Sequence, residues 1–197
     1  GTSPLPKPAG LAHRGYAPLW LDEGVRLRRA LNRFQGGPVV IAFHPRSPLA
    51  CAVYEFVFQM DAFLRRRGLR GRSPLAFVTY EKQPYEIGGA AAGEIVQKWL
   101  DETNIRFFPD TFVQHASERY VKLSNGAIVR SDLLVYVPAY RGSPVVQAVR
   151  GLTDADGFVL TDQTMRSRAY PNVFAAGDCV SFPGPKTGLM AEQQARV

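Results

Sequence analysis

The residues with the clearest chemical meaning stand near the end of the chain: Gly177, Asp178, Lys186, Thr187 and Gly188. An apolar run at 173–176 predicts a strand that ends in a Gly-Asp turn, and a helix is predicted to begin at about Lys186. An Asp at the carboxyl end of a strand can accept hydrogen bonds from sugar hydroxyls. Free N–H groups at a helix start attract electron-rich atoms. The segment therefore predicts a ligand site, the alternative being an ordinary strand–turn–helix connection.

The chain has two cysteines, which are too few for a disulfide framework and indicate a cytoplasmic protein. Cys51 stands near a predicted helix start, where the peptide dipoles stabilise a thiolate, so it is a candidate nucleophile. The alternative is a small buried residue at a tight helix start. Cys179 has no Cys-x-x-Cys partner and is expected to pack. No grouping of His, Cys and Asp has the spacing of metal ligands.

The composition allows a globular core, since 46% of the 197 residues are apolar. No stretch approaches the roughly 20 apolar residues of a membrane span, and the Pro-rich start does not resemble a signal peptide. The formal net charge is +7. Arginines at 65–67, 70 and 72 indicate either a solvated helix end or a patch for anionic lipid. No nucleic-acid motif accompanies them, so nucleic acid is not expected as a partner.

The middle of the chain alternates strands and helices. Strands are predicted at 38–43, 75–79, 105–108 and 133–137, with helices at 52–67 and 93–102. This β-α-β order requires a parallel sheet with right-handed crossovers. A turn at Ser124-Asn125-Gly126 adds an antiparallel β-meander. We therefore expect an α/β fold with a Rossmann-like nucleotide-binding domain, preceded by a Pro/Gly-rich linker at 1–19 and a helix at 20–34.

The turn after the first of these strands is unsuited to a dinucleotide. Residues 44–51 read His-Pro-Arg-Ser-Pro-Leu-Ala-Cys, without the glycines that let backbone approach a pyrophosphate. Two prolines also remove backbone donors. Glu81 stands where an acidic residue would hold a ribose, but this is weak support without the glycine turn. No G-x-G-x-x-G occurs in the chain. The sequence predicts that NAD(P) binding has been lost.

Several motifs resemble those of one flavoprotein family. The segment Asn172-Val-Phe-Ala-Ala-Gly-Asp178 resembles the second FAD signature of the pyridine nucleotide-disulfide oxidoreductase superfamily. Three further segments, and the chain from about Trp20 onward, resemble the sulfide:quinone oxidoreductases of that superfamily. They are Cys51-Ala-Val-Tyr54-Glu55-Phe56, Pro138-Ala-Tyr-Arg-Gly142 and Pro185-Lys186-Thr187-Gly188-Leu-Met190-Ala-Glu192.

The resemblance implies a function and roles for the site residues. Electrons would pass from sulfide or a related thiol donor through FAD to a quinone. Asp178, with Gly177, would hold the ribityl hydroxyls of FAD, and Lys186, Thr187 and Gly188 would lie against its reduced ring. Cys51 would carry sulfur, although the essential cysteine of the family often stands two residues earlier, at Leu49 in this chain.

The resemblance also implies a domain organisation. Residues 1–35 would be a linker and helix from the FAD-domain side, 36–145 an inserted Rossmann-like domain, and 146–197 a truncated return segment of the FAD-binding domain. The rest of that domain would be a partner, and the chain alone is expected to bind FAD poorly and to be inactive. A cytoplasmic location follows, with a peripheral place on the inner membrane face and a homo-oligomer left open.

Two alternatives remain at this stage. One is an NADH:quinone-type enzyme or another NAD(P)H-dependent flavin disulfide reductase, which would bind NADH despite the missing glycines. The other is a non-catalytic Rossmann-like module that serves interaction, against which the Gly177-Asp178 motif argues.

Overall fold

The computed structural model describes residues 2–4, 10–11 and 15–197. The helices are α1 (Leu21–Arg33), α2 (Ala50–Arg66), α3 (Gly89–Glu102), α4 (Pro144–Gln147) and α5 (Gly188–Ala195). The strands are β1 (Thr2–Pro4), β2 (Gly15–Tyr16), β3 (Val39–Phe43), β4 (Leu75–Val78), β5 (Arg106–Phe108), β6 (Val113–Ala116), β7 (Tyr120–Leu123), β8 (Ile128–Arg130), β9 (Leu133–Val137) and β10 (Tyr140–Gly142). The chain divides into two compact units, residues 6–138 and residues 1–5 with 139–197.

The larger unit is built on a parallel sheet in the order β2-β9-β3-β4-β5. Every residue of β3 and β9 is buried, as expected for strands covered on both faces. Val39, Ile41 and Phe43 pack with the helices α1, α2 and α3 on one face. Val40 and Ala42 point the other way, into a core shared with the antiparallel sheet β6-β7-β8. The predicted α/β fold with a meander is confirmed.

The arginines near the end of α2 have structural partners. The buried Asp61 carboxylate accepts hydrogen bonds from Arg65 Nε and Arg70 Nε, both at 2.6 Å. Arg70 also donates to the carbonyl oxygens of Thr103 and Asn104 at 2.9 and 2.8 Å. Part of the basic cluster therefore ties the end of α2 to the end of α3.

The smaller unit contains little regular structure. β1 and β10 pair antiparallel, and the segment between α4 and α5 is held by isolated bridges such as Val159–Val180 and Arg166–Phe174. The predicted strand at 173–176 is therefore wrong, since a strand needs a continuous ladder and Phe174 remains 66% exposed. The apolar run Phe158-Val-Leu160 likewise forms only isolated bridges, at Val159.

Some predicted element boundaries also need correction. The Pro/Gly-rich start is more than a linker, because Gly15–Tyr16 pairs with β9 and extends the parallel sheet. Residues 1, 5–9 and 12–14 of that predicted linker lie outside the described part of the chain. α2 begins two residues earlier than predicted and α3 four residues earlier, at Gly89. α5 begins at Gly188 rather than Lys186, because the Thr187 hydroxyl accepts the Met190 N–H and caps the helix.

Candidate functional site

The Gly177-Asp178 motif forms a tight turn that is fixed to α5. Gly177 has φ +77, a left-handed conformation that favours glycine, and the preceding Ala176 is extended. The Gly177 N–H donates to the Gln194 side-chain oxygen at 2.7 Å, and Gln194 is buried on α5. A Cβ on Gly177 would lie 3.2 Å from the Ala191 Cβ. The left-handed conformation therefore favours glycine here, and the close approach of Ala191 leaves little room for a side chain.

Lys186 holds the same turn from the other side. Its Nζ donates to the carbonyl oxygens of Asp178 and Val180 at 2.8 and 2.6 Å. The ammonium also lies 4.2 Å from the centre of the Phe158 ring. Burial lowers the pKa of Lys186, opposed by the charge of nearby groups that include Asp178. The lysine is thus a fixed part of the turn rather than a solvated side chain.

The structure brings the five predicted site residues of the smaller unit together. Thr187 caps α5, and Gly188 begins it with open space where a side chain would stand. The Asp178 side chain is exposed on the turn. The site therefore combines an exposed carboxylate, a held ammonium group and the N–H groups of a helix start.

Tyr140 is a member of this site that the sequence reasoning did not single out. It is the first residue of β10, and its hydroxyl is buried without a hydrogen-bond partner among the described residues. Burial, followed by the nearby Asp178 carboxylate, raises the pKa of Tyr140. The available signal was its place in the motif Pro138-Ala-Tyr-Arg-Gly142.

Cys51, the remaining predicted site residue, belongs to the larger unit. It is the second residue of α2, and its Sγ accepts a hydrogen bond from the Tyr85 hydroxyl at 3.3 Å. It lines a cavity of about 740 Å³ between α2 and α3, which also contains the edge-to-face pair of Phe58 and Trp99. Leu49 is the N-cap residue of the helix and packs partly buried against the core.

The Glu81 side chain is buried, and its carboxylate is hydrogen-bonded to other groups of the larger unit. It is only 3% exposed, and its carboxylate accepts hydrogen bonds from Tyr54 Oη at 2.7 Å, Thr79 Oγ1 at 3.0 Å and the Glu86 N–H at 3.1 Å. Burial raises the pKa of Glu81, and the hydrogen bonds oppose that shift. Tyr54 also accepts the Tyr85 N–H at 2.8 Å. The carboxylate therefore stabilises the loop after β4 and is not accessible to a ribose.

The polar groups of the turn between β3 and α2 form hydrogen bonds with one another. The Ser47 N–H donates to the His44 carbonyl at 2.8 Å, and the Arg46 N–H donates to His44 Nδ1 at 3.0 Å. Burial, and then the charge of Arg46, lowers the pKa of His44, which favours the neutral ring that can accept this bond. Two N–H groups at the position of a phosphate-binding turn are thus occupied internally, and His44 acts as the cap of the turn.

Comparison with known proteins relates this geometry to one family. The family model of the pyridine nucleotide-disulphide oxidoreductases matches residues 76–195, more than half of the chain. The chain belongs to this family. Membership of the pyridine nucleotide-disulphide oxidoreductases confirms the superfamily predicted from the Gly177-Asp178 motif.

Curated relatives within the pyridine nucleotide-disulphide oxidoreductases include sulfide-quinone reductases. That of Aquifex aeolicus is 28% identical over 180 residues, covering 81% of this chain and 41% of the relative. The mitochondrial sulfide:quinone oxidoreductase of Schizosaccharomyces pombe is 29% identical over 163 residues, covering 78% and 35%. That of Mus musculus is 25% identical over 179 residues, covering 86% and 39%. The chain thus spans about two-fifths of the length of these relatives.

Solved structures agree on the fold. The X-ray structure of the Aquifex aeolicus sulfide:quinone oxidoreductase has a TM-score of 0.86 at 24% identity, covering 99% of this chain and 50% of the other. An NAD-dependent persulfide reductase from A. fulgidus has a TM-score of 0.72 at 15% identity, covering 100% and 36%. At these identities the likeness concerns the fold alone.

Two further observations concern the described part of the chain. Within it, no group of His, Cys, Asp and Glu side chains is arranged to hold a metal ion. None of its helices has the length and apolar character required to cross a bilayer.

Proposed function

We propose that this chain is part of an FAD-dependent oxidoreductase that passes electrons from sulfide or a related thiol donor through FAD to a quinone. The observation that carries the proposal is the similarity to sulfide-quinone reductases of three organisms, over 78% to 86% of this chain. FAD, when bound, would accept two electrons from the donor and pass them to the acceptor.

The residues of the smaller unit fit a flavin. The exposed Asp178 carboxylate suits ribityl hydroxyls, which donate hydrogen bonds, and the nearby buried Tyr140 hydroxyl has no hydrogen-bond partner in the described part of the chain. The open space at Gly188 leaves room for a ring against the start of α5. The helix dipole and the Lys186 ammonium would favour the negative charge of a reduced ring. We therefore assign Gly177, Asp178, Lys186, Thr187 and Gly188 to cofactor binding.

We propose the same domain bounds that the sequence predicts. We place the inserted nucleotide-binding domain at 36–145 and the return segment of the FAD-binding domain at 146–197, completed by the rest of the FAD domain. The quinone acceptor suggests a peripheral position on the cytoplasmic side of the inner membrane, and a homo-oligomer is compatible with it.

The hydrogen bonds within the larger unit favour an electron donor other than NAD(P)H. The turn after β3 has no glycine, and its Arg46 and Ser47 N–H groups are occupied. Glu81, which would hold a ribose, is surrounded by three internal donors. A dinucleotide would have to displace these bonds, and each buried group left unpaired would cost about 1–3 kcal/mol.

Cys51 is our candidate for the sulfur-carrying residue. It is the second residue of α2, and the Tyr85 hydroxyl donates a hydrogen bond to its sulfur. A Cys51 thiolate and a hydrosulfide ion together yield a persulfide and two electrons, and those electrons would leave through FAD. The sulfur would then pass to an acceptor thiol or sulfide.

A donor comparison tests the proposal. The FAD-loaded protein that contains this chain is mixed with a short-chain ubiquinone, and quinone reduction is followed with sulfide or with NADH as the donor. We expect reduction with sulfide and none above background with NADH. Quinone reduction driven by NADH, with no response to sulfide, would move the protein to the NADH-dependent branch of the family.

A further inference from the structure

The Tyr140 hydroxyl is an unsatisfied donor at the edge of the proposed flavin site. Tyr140 is 6% exposed, and its hydroxyl has no hydrogen-bond partner among the residues the structure describes. Buried hydroxyls in folded proteins nearly always have a partner, because an unpaired one costs free energy. Such a group therefore points to a partner that arrives, or turns toward it, when the site is filled.

The neighbours of Tyr140 connect it to Asp178. Its ring meets the Phe158 ring edge-on, with centroids 6.3 Å apart and an interplanar angle of 71°. Phe158 supports the Lys186 ammonium at 4.2 Å, and that ammonium donates to the Asp178 carbonyl oxygen at 2.8 Å. The backbone of Asp178 is thus fixed by the same cluster that buries the Tyr140 ring. Burial raises the pKa of Tyr140, and the negative charge of the nearby Asp178 carboxylate raises it further.

The Tyr140 hydroxyl and the Asp178 carboxylate differ in their exposure to a ligand. The hydroxyl is enclosed, whereas the Asp178 side chain is exposed and can meet a ligand. A carboxylate has enough lone pairs to accept the Tyr140 O–H on one oxygen and ligand hydroxyls on the other. When the site is filled, a donor beneath the carboxylate would hold one of its oxygens and leave the other directed at the ligand.

We propose that Tyr140 is a positioning residue, whose hydroxyl donates to the Asp178 carboxylate and orients it for a polyhydroxyl chain such as the ribityl chain of a flavin. This inference rests on the proposed FAD-dependent function. Tyr140 does not contact the ligand and acts on it only by orienting Asp178. Its role is therefore to select for the ribityl part of the cofactor and not for the ring.

Tyr140→Phe removes one oxygen atom and keeps the ring against Phe158. In the ligand-free protein we expect this variant to unfold at the same temperature as the wild type or higher, because an unpaired buried hydroxyl has been removed. A clearly lower unfolding temperature would mean that the hydroxyl already has a structural role, and would overturn the proposal.

The binding test compares two flavins that share a ring system. Riboflavin carries the ribityl chain and lumiflavin does not. Both are titrated, by quenching of flavin fluorescence, into the protein that contains this chain after removal of FAD. For Tyr140→Phe we expect a riboflavin Kd about tenfold higher and an unchanged lumiflavin Kd. Tyr120→Phe, a change at an exposed tyrosine of the larger unit, serves as the matched control and should alter neither.

The possible failures are distinguishable. If the wild type binds both flavins and Tyr140→Phe leaves riboflavin binding unchanged, or weakens both flavins equally, the positioning role is overturned and the flavin site stands. If the isolated protein carries no FAD and binds neither flavin, the proposed FAD-dependent function fails, and the role of Tyr140 fails with it.

Discussion

Lys186 and Val180 are joined by a hydrogen bond of 2.6 Å from the lysine ammonium to the valine carbonyl oxygen. The same ammonium donates to the Asp178 carbonyl at 2.8 Å. The bonds therefore close the chain from 178 to 186 into a loop that presents the Asp178 side chain. We infer that Lys186 contributes to the site first by ordering this loop, and its charge acts on a bound ligand from that fixed position.

Lys186→Met should destabilise the protein. Methionine keeps a chain of similar length against Phe158 but leaves two carbonyl oxygens without their charged donor. Because the lysine is only partly buried, we expect a loss of about 1–3 kcal/mol in the free energy of unfolding. Urea denaturation measures it. Lys98→Met is the control, since Lys98 is 74% exposed with its Glu102 partner at 3.7 Å, and should cost less than about 0.5 kcal/mol. Equal losses in the two variants would refute the role given to Lys186.

Tyr54→Phe should destabilise the larger unit at neutral pH. The change removes the donor to Glu81 at 2.7 Å and the acceptor of the Tyr85 N–H at 2.8 Å. Since Glu81 is buried, we expect a loss of about 2–3 kcal/mol in the free energy of unfolding. The exposed Tyr120→Phe serves again as the control, within about 0.5 kcal/mol of the wild type. A Tyr54→Phe protein of wild-type stability would show that this network does not hold the loop.

The cost of Tyr54→Phe should depend on pH. The hydrogen bond from Tyr54 lowers the pKa of Glu81, which burial raises above its ordinary value. A raised pKa in the folded state means that the group favours folding at low pH and opposes it as pH rises through that pKa. Without Tyr54 the Glu81 pKa rises further, so the stability difference from the wild type should be largest at neutral pH. We expect urea denaturation to show the difference shrinking as pH falls and Glu81 becomes protonated in both proteins. A difference independent of pH would contradict the charged hydrogen bond.

NADH should not bind to the larger unit. Its phosphate turn lacks glycine, and Glu81 is occupied by internal donors. Isothermal titration calorimetry of the chain with NADH should therefore give no saturable heat, while circular dichroism confirms that the chain is folded. Saturable binding in the micromolar range would contradict the interpretation of this unit as a nucleotide-binding fold that no longer binds NADH.

Cys51→Ser should abolish sulfide-dependent quinone reduction in the complete protein, because serine cannot carry a persulfide. The serine hydroxyl can still accept the Tyr85 hydrogen bond, so the fold should be kept. Cys179→Ser is the control. The Cys179 sulfur donates to the Ala176 carbonyl at 3.2 Å, a bond that a serine hydroxyl can also make, so this variant should keep activity within about a factor of two of the wild type. Full activity of Cys51→Ser would remove Cys51 from the mechanism and leave the donor chemistry to cysteines elsewhere in the protein.

Much of the fold could be predicted because its signals are local. The continuous apolar run at Val39–Phe43 indicates a strand buried on both faces, and the apolar stripe of Ala50–Arg66 indicates a helix packed on the sheet. Gly15–Tyr16 could not be predicted as a strand. It is two residues long, and its partner β9 lies more than a hundred residues away. At 173–176 the apolar run predicts a strand that the structure does not form, since apolar residues alone do not supply a neighbouring strand.

The site was predictable in its residues but not in its contacts. Asp178 and Lys186 were identified from their motif, yet the sequence cannot show that the lysine ammonium binds backbone carbonyls of the same loop. The burial of Glu81 depends on Tyr54, which stands 27 residues earlier on another element. The Tyr140 hydroxyl became visible as a group of interest only once its burial was known.

The most direct test of the proposed function follows the bound flavin itself. The FAD-loaded protein that contains this chain is mixed anaerobically, without quinone, with sulfide or with NADH, and the visible flavin absorbance is recorded in a stopped-flow instrument. We predict rapid bleaching by sulfide, no bleaching by NADH, and recovery of the absorbance when a quinone is added. Bleaching by NADH, with flavin that stays oxidised in sulfide, would contradict the account.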